Sequence, residues 1–320
     1  MDDMAGLNDN IIPHEAIHNT YLRLKKQYEK GLCDKWLDRT ESVNHIFQDL
    51  TIAAFLIELW SDMYGARPRS ESSSETANLA QFPGFVDIAC GNGVVVYVLL
   101  MEGYSGWGFD ARRRDTWSYF PAPVQERLKE KMLVPKPFID IVGSQEIGME
   151  ISTADFAPGT FVISNHADEL TVWTPLLAAL ASPNSPLPFL VVPCCSHSLS
   201  GSTYRYPTPK DSNNPGASQD DHQQSASGDL RALRAAKQKE KTAEGRMFSQ
   251  YGALVTKTTY IAEQVGYQVE NTILNILSPR NAAIVGVGNW SQRNGIQGLN
   301  TETRPLHQWI IKPIVCAVPS

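Results

Sequence analysis

The sequence has no long hydrophobic run and no signal-peptide pattern. Its longest apolar stretches, such as Ile52–Ile57 and Phe189–Cys195, are far too short to cross a bilayer. The N-terminus is polar and lacks the basic-then-apolar order of a secretory leader. We therefore expect no membrane association.

Cysteine and positive charge are also scarce. The five cysteines, Cys33, Cys90, Cys194, Cys195 and Cys316, show neither the spacing of a metal site nor a small disulfide framework. They predict no bound metal and reduced thiols, as in a cytosolic or nuclear protein, and of these two locations we expect the cytoplasm. The formal net charge of −6 excludes a surface that attracts nucleic acid as a whole, so any RNA contact must come from a local patch.

The 320 residues, 42% of them hydrophobic, have ordinary globular composition. A broad apolar stripe at helical spacing ends at Gly65 and Pro68, a Ser- and Glu-rich connector follows, and a polar stretch without apolar anchors interrupts the second half. We predict an unstructured N-terminus (1–17), a helical extension (18–67), a linker (68–81), an α/β core (82–287) with a disordered insertion (198–228), and a tail (288–320).

The most informative segment runs from Phe85 to Asp110. A short apolar strand contains Asp87, a Gly91-Asn92-Gly93 turn opens an apolar helix, and a second strand ends in Asp110. This order is typical of a doubly wound α/β sheet that binds a nucleoside at its edge. The trailing carboxylate suits a ribose, because it can accept hydrogen bonds from both hydroxyls.

The glycine pattern of this turn narrows the class of ligand that it can bind. A dinucleotide fold needs a third glycine where this chain has the bulky Val96. An acid at Asp87 suits a positively charged ligand better than a phosphate. The turn resembles that of class I methyltransferases, which implies S-adenosylmethionine as the cofactor. The candidate cofactor-binding residues are Asp87, Cys90, Gly91, Asn92, Gly93 and Asp110. The alternative is a turn with no ligand.

Further elements follow the second strand. We predict a helix around Trp117–Leu133, a third strand at Pro137–Val142, a fourth at Thr160–Ile163 and a fifth at Leu187–Val192, with a helix at Val172–Leu180 between the last two. An amphipathic helix and two more strands then complete an α/β fold with a doubly wound, mostly parallel sheet.

The fourth strand ends in a dense polar group. Asn165, His166, Asp168 and Glu169 fall where parallel strands deliver ligand-binding side chains. One interpretation is that these side chains hold the methyl-accepting group, where a base or an orienting acceptor helps the transfer. Asp168, Glu169 and His166 are the candidate bases, with Asn165 placing the substrate. The alternative is that Asp168 or Glu169 only caps the following helix.

Three arginines follow the predicted ribose acid. Arg112, Arg113 and Arg114 can grip RNA phosphates through bidentate hydrogen bonds. The competing interpretation is a solvated basic face after a strand.

Taken together, four motifs resemble the tRNA (uracil-2′-O-)-methyltransferase family: F-V-D-I-A-C-G-N-G, G-x-G-F-D-A-R-R-R, N-H-A-D-E-L-T-x-W-T-P and V-V-P-C-C. The resemblance covers roughly residues 33–197 and resumes weakly over 247–287. It implies a seven-stranded sheet whose last strand pair is antiparallel, and methylation of a uridine ribose in tRNA, serine tRNA in the eukaryotic members.

Two departures from the family pattern stand out. Ala89 replaces the family's usual glycine, and its methyl group is expected near the methionine end of the cofactor. His197 and the polar insertion replace the usual continuation after the cysteine pair. Two other functions therefore stay open: a methyltransferase acting on a protein or small molecule, and a catalytically silent binding protein. Intact Asp87, Gly91, Gly93 and Asp110 argue against the silent protein.

Overall fold

A computed structural model describes residues 11–34, 44–69, 82–135, 150–208, 249–276 and 278–288. Within these ranges the helices are α1 (His14–Cys33), α2 (Asn44–Tyr64), α3 (Val94–Met101), a 3₁₀ helix (Asp115–Tyr119), α4 (Ala122–Gln125), α5 (Leu170–Ala181) and α6 (Gln250–Gln264). The strands are β1 (Phe85–Ile88), β2 (Gly106–Asp110), β3 (Leu128–Glu130), β4 (Met132–Leu133), β5 (Ile151–Ser152), β6 (Phe161–Asn165), β7 (Phe189–Val192), β8 (Tyr267–Ile273) and β9 (Ala282–Gly288).

One seven-stranded sheet organises the molecule, in the order β3-β2-β1-β6-β7-β9-β8. The first five strands in that order are parallel, and β9 is antiparallel to both of its neighbours. Strands β4 and β5 form a separate parallel pair. The predicted doubly wound, mostly parallel sheet with an antiparallel last strand pair is therefore confirmed.

The sheet is covered on both faces, because alternate residues of its buried strands point to opposite sides. Phe85 of β1 packs in the cluster that contains α1, α2 and α3, whereas Val86 packs in the cluster on the other face. Helix α2 is buried along most of its length, and its Trp60 lies 5.5 Å, ring to ring, from Phe161 of β6. The N-terminal helices are thus a layer of the core.

A buried acid ties α1 to this layer. Glu102, just after α3, accepts hydrogen bonds from the Arg23 guanidinium and from the Tyr28 hydroxyl, each at 2.7 Å. Burial, followed by the bond to Glu102, raises the pKa of Tyr28 far above its ordinary value. A buried carboxylate needs partners of this kind to offset its lost hydration.

The predicted unstructured N-terminus is wrong for its last residues. Helix α1 begins at His14, directly after Pro13. Ile12 is buried, and Ile17 packs against the same core cluster. These apolar contacts order a stretch that composition alone assigns to solvent.

The predicted helix over Trp117–Leu133 is also wrong. The chain forms the short 3₁₀ helix and the four-residue α4, and then enters the edge strand β3. Pro121 and Pro123 lack the backbone N–H groups that a continuous helix needs at those positions. The sheet therefore acquires an edge strand well before Pro137–Val142, the predicted third strand, which lies outside the described residues.

The predicted disordered insertion is ordered at its start. His197 and Thr203 form an isolated antiparallel bridge, and buried Tyr206 donates a hydrogen bond to the His197 carbonyl at 2.7 Å. Tyr206 packs with Val172 of α5 and Leu254 of α6, which anchors residues 198–208. The rest of the insertion, most of the linker and residues 289–320 lie outside the described residues.

Candidate active site

The turn between β1 and α3, residues 89–93, will be called the cofactor turn. Three of its residues take left-handed backbone angles: Ala89 with φ +58°, Gly91 with φ +52° and Gly93 with φ +77°. A Cβ on Gly93 would lie 3.1 Å from Trp117 Nε1 and from Leu128 Cδ1, so this position has no room for a side chain. A Cβ on Gly91 would meet nothing within 4 Å, which leaves open space for a ligand beside its backbone.

Side chains on three sides fix the cofactor turn. Asp110 Oδ2 accepts a hydrogen bond from the Gly91 N–H at 3.0 Å, and the Trp117 indole donates to the Gly91 carbonyl at 2.9 Å. Thr116 Oγ1 donates to the Asn92 carbonyl at 2.8 Å. The turn is therefore rigid before any ligand arrives, which lowers the entropic cost of binding.

The Asn92 side chain is hydrogen-bonded within the protein, and its part in cofactor binding stays a prediction. Both ends of its side-chain amide bond to other residues: Oδ1 accepts from the Val94 N–H at 2.8 Å, and Nδ2 donates to Asp49 Oδ2 at 3.0 Å. It is 8% exposed. Asn92 thus caps α3 and joins the turn to α2, and we assign it to the shape of the cofactor turn.

Asp87 is the buried acid of the site. It is 1% exposed, and its Oδ1 has no hydrogen-bond partner among the described residues. Burial raises its pKa well above the ordinary carboxyl value, and the nearby charges of Asp49 and Asp110 raise it further. Three converging acids favour a cationic ligand, because a positive charge would relieve both the repulsion and the desolvation. Cys90 beside them is a partly buried thiol whose pKa is likewise raised, chiefly by loss of solvent.

The three predicted RNA-binding arginines are not equivalent. Arg112 and Arg113 are exposed, and the Arg112 N–H donates to Asp110 Oδ1 at 3.0 Å. Arg114 folds back, with its Nη2 3.8 Å from the same Asp110 oxygen. The structure therefore leaves two guanidinium groups at the surface and directs the third at Asp110, the acid predicted to bind a ribose.

Residues 165–169, after β6, will be called the acceptor edge. They hold the four predicted catalytic residues. Asn165 Nδ2 donates to Asp49 Oδ1 at 3.3 Å, while its Oδ1 is buried without a partner among the described residues. His166 and Asp168 have left-handed backbone angles, with φ +53° and +44°. Strain of this kind concentrates at functional sites, where the surrounding structure maintains it.

Burial changes the chemistry of His166. Loss of solvent lowers its pKa to about 4, and the charges of His45 and Arg280 act in the same direction while Asp168 opposes them. Its imidazole is therefore neutral at physiological pH. The buried Nε2 has no partner within the described residues.

Asp168 and Glu169 are exposed, and neither side chain caps α5. The N-cap residue Glu169 makes no side-chain capping bond. The Asp168 Oδ1 instead accepts a hydrogen bond from the Cys194 thiol at 3.1 Å. Burial, and then this bond, raise the pKa of Cys194 far above its ordinary value, so the thiol stays protonated and donating.

The loop after β7 and the segment before β9 complete the acceptor side. Arg280 Nη1 lies 3.5 Å from Cys195 Sγ. Within the described ranges, Asp168, Cys194 and Cys195 bring three metal-capable atoms to within 4.8 Å of one another, a convergence that the cysteine spacing alone did not indicate. The absence of a metal stays a prediction.

A single cleft of about 890 Å³ connects the cofactor turn with the acceptor edge. Asp87, Cys90, Gly91, Asn92 and Asp110 line it on one side, and Asn165, His166, Asp168 and Glu169 on the other. The structure therefore brings nearly all of the predicted cofactor and catalytic residues together. Gly93 is the exception, because it does not line the cleft and only contributes to the shape of the turn.

Sequence analysis missed the residues that α2 contributes. His45, Gln48 and Asp49 line the same cleft. Asp49 is 7% exposed, although its neighbours in sequence form the apolar stripe of a core helix. A lone acid inside such a stripe was the available signal, because a buried carboxylate needs a structural or functional reason.

Known proteins match both the cofactor turn and the chain as a whole. A family model described as "Predicted AdoMet-dependent methyltransferase" matches residues 11–135, which include α1, α2 and the cofactor turn. The tRNA (uracil-O(2)-)-methyltransferase of Aspergillus oryzae is 53% identical over 304 residues, covering 89% of this chain and 48% of that protein. The chain is therefore similar over most of its length to tRNA (uracil-O(2)-)-methyltransferases, and its N-terminal part matches a methyltransferase family model.

More distant fungal relatives are similar over the same part of the chain. The Neurospora crassa protein is 40% identical over 291 residues, covering 87% of this chain and 48% of that protein. The Saccharomyces cerevisiae protein is 34% identical over 317 residues, covering 88% and 48% respectively. The chain thus spans about half the length of the curated relatives it matches. No helix in the described ranges is long and apolar enough to cross a membrane.

Proposed function

We propose that this chain uses S-adenosylmethionine to methylate the 2′-oxygen of a uridine ribose in tRNA, with serine tRNA as the substrate. The observation that carries the proposal is the cleft, in which an acidic cofactor turn and a polar acceptor edge line one space, on a chain similar to tRNA (uracil-O(2)-)-methyltransferases. The four described cysteines are free thiols, and we assign the reaction to the cytoplasm.

The residues of the cofactor turn fit S-adenosylmethionine, which supplies an electrophilic methyl group on a sulfonium. Its cationic end suits the buried Asp87 Oδ1, which has no hydrogen-bond partner in the described part of the chain. Its ribose hydroxyls suit Asp110, since each carboxylate oxygen can accept a further hydrogen bond beyond those from Gly91 and Arg112. The open backbone of Gly91 allows close approach.

The acceptor edge supplies the polar groups for the hydroxyl. Asn165 offers a carbonyl acceptor in the wall of the cleft, and the Asp168 carboxylate lies exposed at its mouth. We assign Asp168 to orient the 2′-hydroxyl and to accept its proton as the oxygen is methylated. The Cys194 thiol holds this carboxylate in place. Glu169 and the neutral His166 are the remaining candidate bases.

Exposed Arg112 and Arg113 lie beside the cofactor turn, at a position suited to the phosphates of a tRNA whose ribose enters the cleft. Besides this grip, the orientation of donor and acceptor within the cleft can supply much of the rate.

Nucleoside mass spectrometry of serine tRNA incubated with the chain and S-adenosylmethionine tests this function directly. We expect 2′-O-methyluridine with the wild-type chain. Replacement Asp168→Asn should lower turnover by about a hundredfold at saturating cofactor, because the amide cannot accept the proton. The matched control is Asp155→Asn, an exposed acid that does not line the cleft.

Each result has a definite meaning for the proposal. Methylation of a protein or small molecule but of no tRNA would assign the cleft to another acceptor. A chain that binds S-adenosylmethionine and methylates nothing would be a silent binding protein. Near-normal turnover in Asp168→Asn would move the base to Glu169 or His166.

A further inference from the structure

Asp49 of α2 joins the two halves of the cleft. Its Oδ2 accepts a hydrogen bond from Asn92 Nδ2 at 3.0 Å, and its Oδ1 accepts one from Asn165 Nδ2 at 3.3 Å. Asn92 belongs to the cofactor turn and Asn165 to the acceptor edge. A single buried carboxylate on the N-terminal helical layer therefore contacts both sides of the proposed reaction.

The amide of Asn92 has a fixed orientation. Its Oδ1 accepts from the Val94 N–H at 2.8 Å, at the N-terminus of α3. A flipped amide would place two donors against each other at Val94 and bring its oxygen to the Asp49 carboxylate, so both hydrogen bonds would break. Asn92 must therefore present a donor to Asp49, and Asp49 must present an acceptor.

The amide of Asn165 is oriented from one side only. Its Nδ2 is bonded to Asp49, and its Oδ1 is buried without a partner in the described part of the chain. Buried polar groups are nearly always satisfied, so a lone acceptor in the wall of a cleft needs an explanation. A donor on a bound ligand would supply the missing bond.

We propose that Asp49 is a positioning residue: it holds the Asn165 amide so that Oδ1, rather than Nδ2, is offered to a hydrogen-bond donor of the bound substrate. This inference rests on the proposed function for the identity of that substrate. It also gives α2 a part in the site itself, because the helix sets which hydrogen-bonding group the acceptor edge presents.

The variant Asp49→Asn tests this orientation, because an amide cannot accept on both of its arms. Its oxygen can receive only one of the two donors, and Asn92 is held independently by Val94. The Asn165 amide should therefore flip, bond to the new Nδ2 through its oxygen, and present a donor where the bound substrate needs an acceptor.

The pair can be restored by exchanging its members. In Asp49→Asn/Asn165→Asp, the new amide accepts from Asn92 and donates to the new carboxylate, whose second oxygen again is an acceptor in the cleft wall. In Asn165→Asp alone, two carboxylates would lie about as close as the present 3.3 Å contact, so repulsion should destabilise the protein. The exposed Asp62 on the same helix provides the control variant Asp62→Asn.

The test compares turnover, KM for tRNA, cofactor affinity and thermal unfolding for these variants. We expect Asp49→Asn to lower kcat about tenfold to a hundredfold with a smaller effect on cofactor affinity, and the exchanged pair to regain part of that loss. Asp62→Asn should behave as wild type. A folded Asp49→Asn protein with wild-type kcat would overturn the proposal, as would an exchanged pair that restores stability without any turnover.

A spectroscopic readout keeps the inference independent of tRNA activity. In protein labelled with ¹⁵N-asparagine, the side-chain amide signals of Asn165 are identified by their loss in Asn165→Ala. We expect these signals to shift in Asp49→Asn and not in Asp62→Asn. If the wild-type chain methylates no tRNA, the proposed function fails and these signals alone decide the orientation. Unshifted signals would overturn it.

Discussion

The carboxylate of Asp110 accepts a hydrogen bond from the Gly91 N–H at 3.0 Å, so the acid that ends β2 holds the glycine turn after β1. The same carboxylate also accepts from the Arg112 N–H. An acid predicted from sequence as a ribose ligand therefore has a structural role as well, and it orders the loop that carries the arginines.

Asp110→Ala should consequently weaken S-adenosylmethionine binding and destabilise the fold together. Loss of a hydrogen bond to a charged group costs roughly 1.5–3 kcal/mol, which corresponds to about tenfold to a hundredfold in affinity. Calorimetry and thermal unfolding measure the two effects. The Asp110→Asn variant keeps one acceptor for the Gly91 N–H. It should therefore be destabilised less than Asp110→Ala, while its affinity for S-adenosylmethionine is still reduced.

Glu130→Gln provides the control, since Glu130 is the exposed β3 residue paired in register with Asp110. It should leave both measurements unchanged. Unaltered cofactor affinity in a folded Asp110→Ala protein would remove Asp110 from the proposed ribose site.

Ala89→Gly should stabilise the protein, contrary to the usual effect of this replacement. Ala89 has φ +58°, a conformation that costs an L-residue roughly 1–2 kcal/mol, whereas the added chain entropy of glycine costs about 0.4–1 kcal/mol. We expect a net gain of a few tenths to about 1 kcal/mol in the free energy of unfolding, measured by urea denaturation.

The opposite result is expected at Ala16, which lies within α1. Ala16→Gly should lose about 0.5–1 kcal/mol, because glycine is unfavourable inside a helix. If both replacements destabilise equally, the left-handed angle at Ala89 carries no strain.

The architecture was predictable because its signals are local. A few consecutive residues are enough to recognise the apolar strands, the Gly91-Asn92-Gly93 turn and the polar run after β6. Parallel strands then bring their ends to one edge of the sheet. The edge strand β3 was not predictable in this way. Leu128–Glu130 has no strand signature of its own, and its place is set by pairing with β2 and by the two prolines before it.

The contribution of α2 to the site escaped prediction for a different reason. Asp49 acts through contacts with residues 43 and 116 positions away, and no sequence period encodes such distances. The same holds for the Cys194–Asp168 bond and for Arg280, which reach the cleft from the loop after β7 and the segment before β9.

Cofactor affinity should rise with pH, owing to Asp87. Burial, together with Asp49 and Asp110, raises the pKa of Asp87 in the free protein, and a bound cation favours its ionised form. Below that raised pKa, binding must release the proton, so affinity increases as pH rises and levels off above it. Calorimetry from about pH 5 to about pH 9, in buffers of different ionisation enthalpy, would detect the released proton.

Asp87→Asn serves as the comparison for this pH effect. It should bind S-adenosylmethionine more weakly and release no proton from this position. Proton release that persists in a folded Asp87→Asn protein would assign the titration to another group.

The three arginines after β2 should separate into two functional classes. Arg112 and Arg113 are exposed, whereas Arg114 lies against Asp110. Arg112→Ala/Arg113→Ala should weaken tRNA binding and reduce the slope of log affinity against log salt by about one unit for each phosphate that is no longer neutralised, with cofactor affinity nearly unchanged. Arg114→Ala should instead lower cofactor affinity and leave most of the salt slope, because its charge supports the proposed ribose acid, Asp110.

Filter binding at several salt concentrations measures the salt slope of these variants, and calorimetry measures their cofactor affinity. Lys129→Ala, an exposed cation on the edge strand β3, controls for the loss of one positive charge. A double variant with the wild-type salt slope would return Arg112 and Arg113 to a solvated basic face.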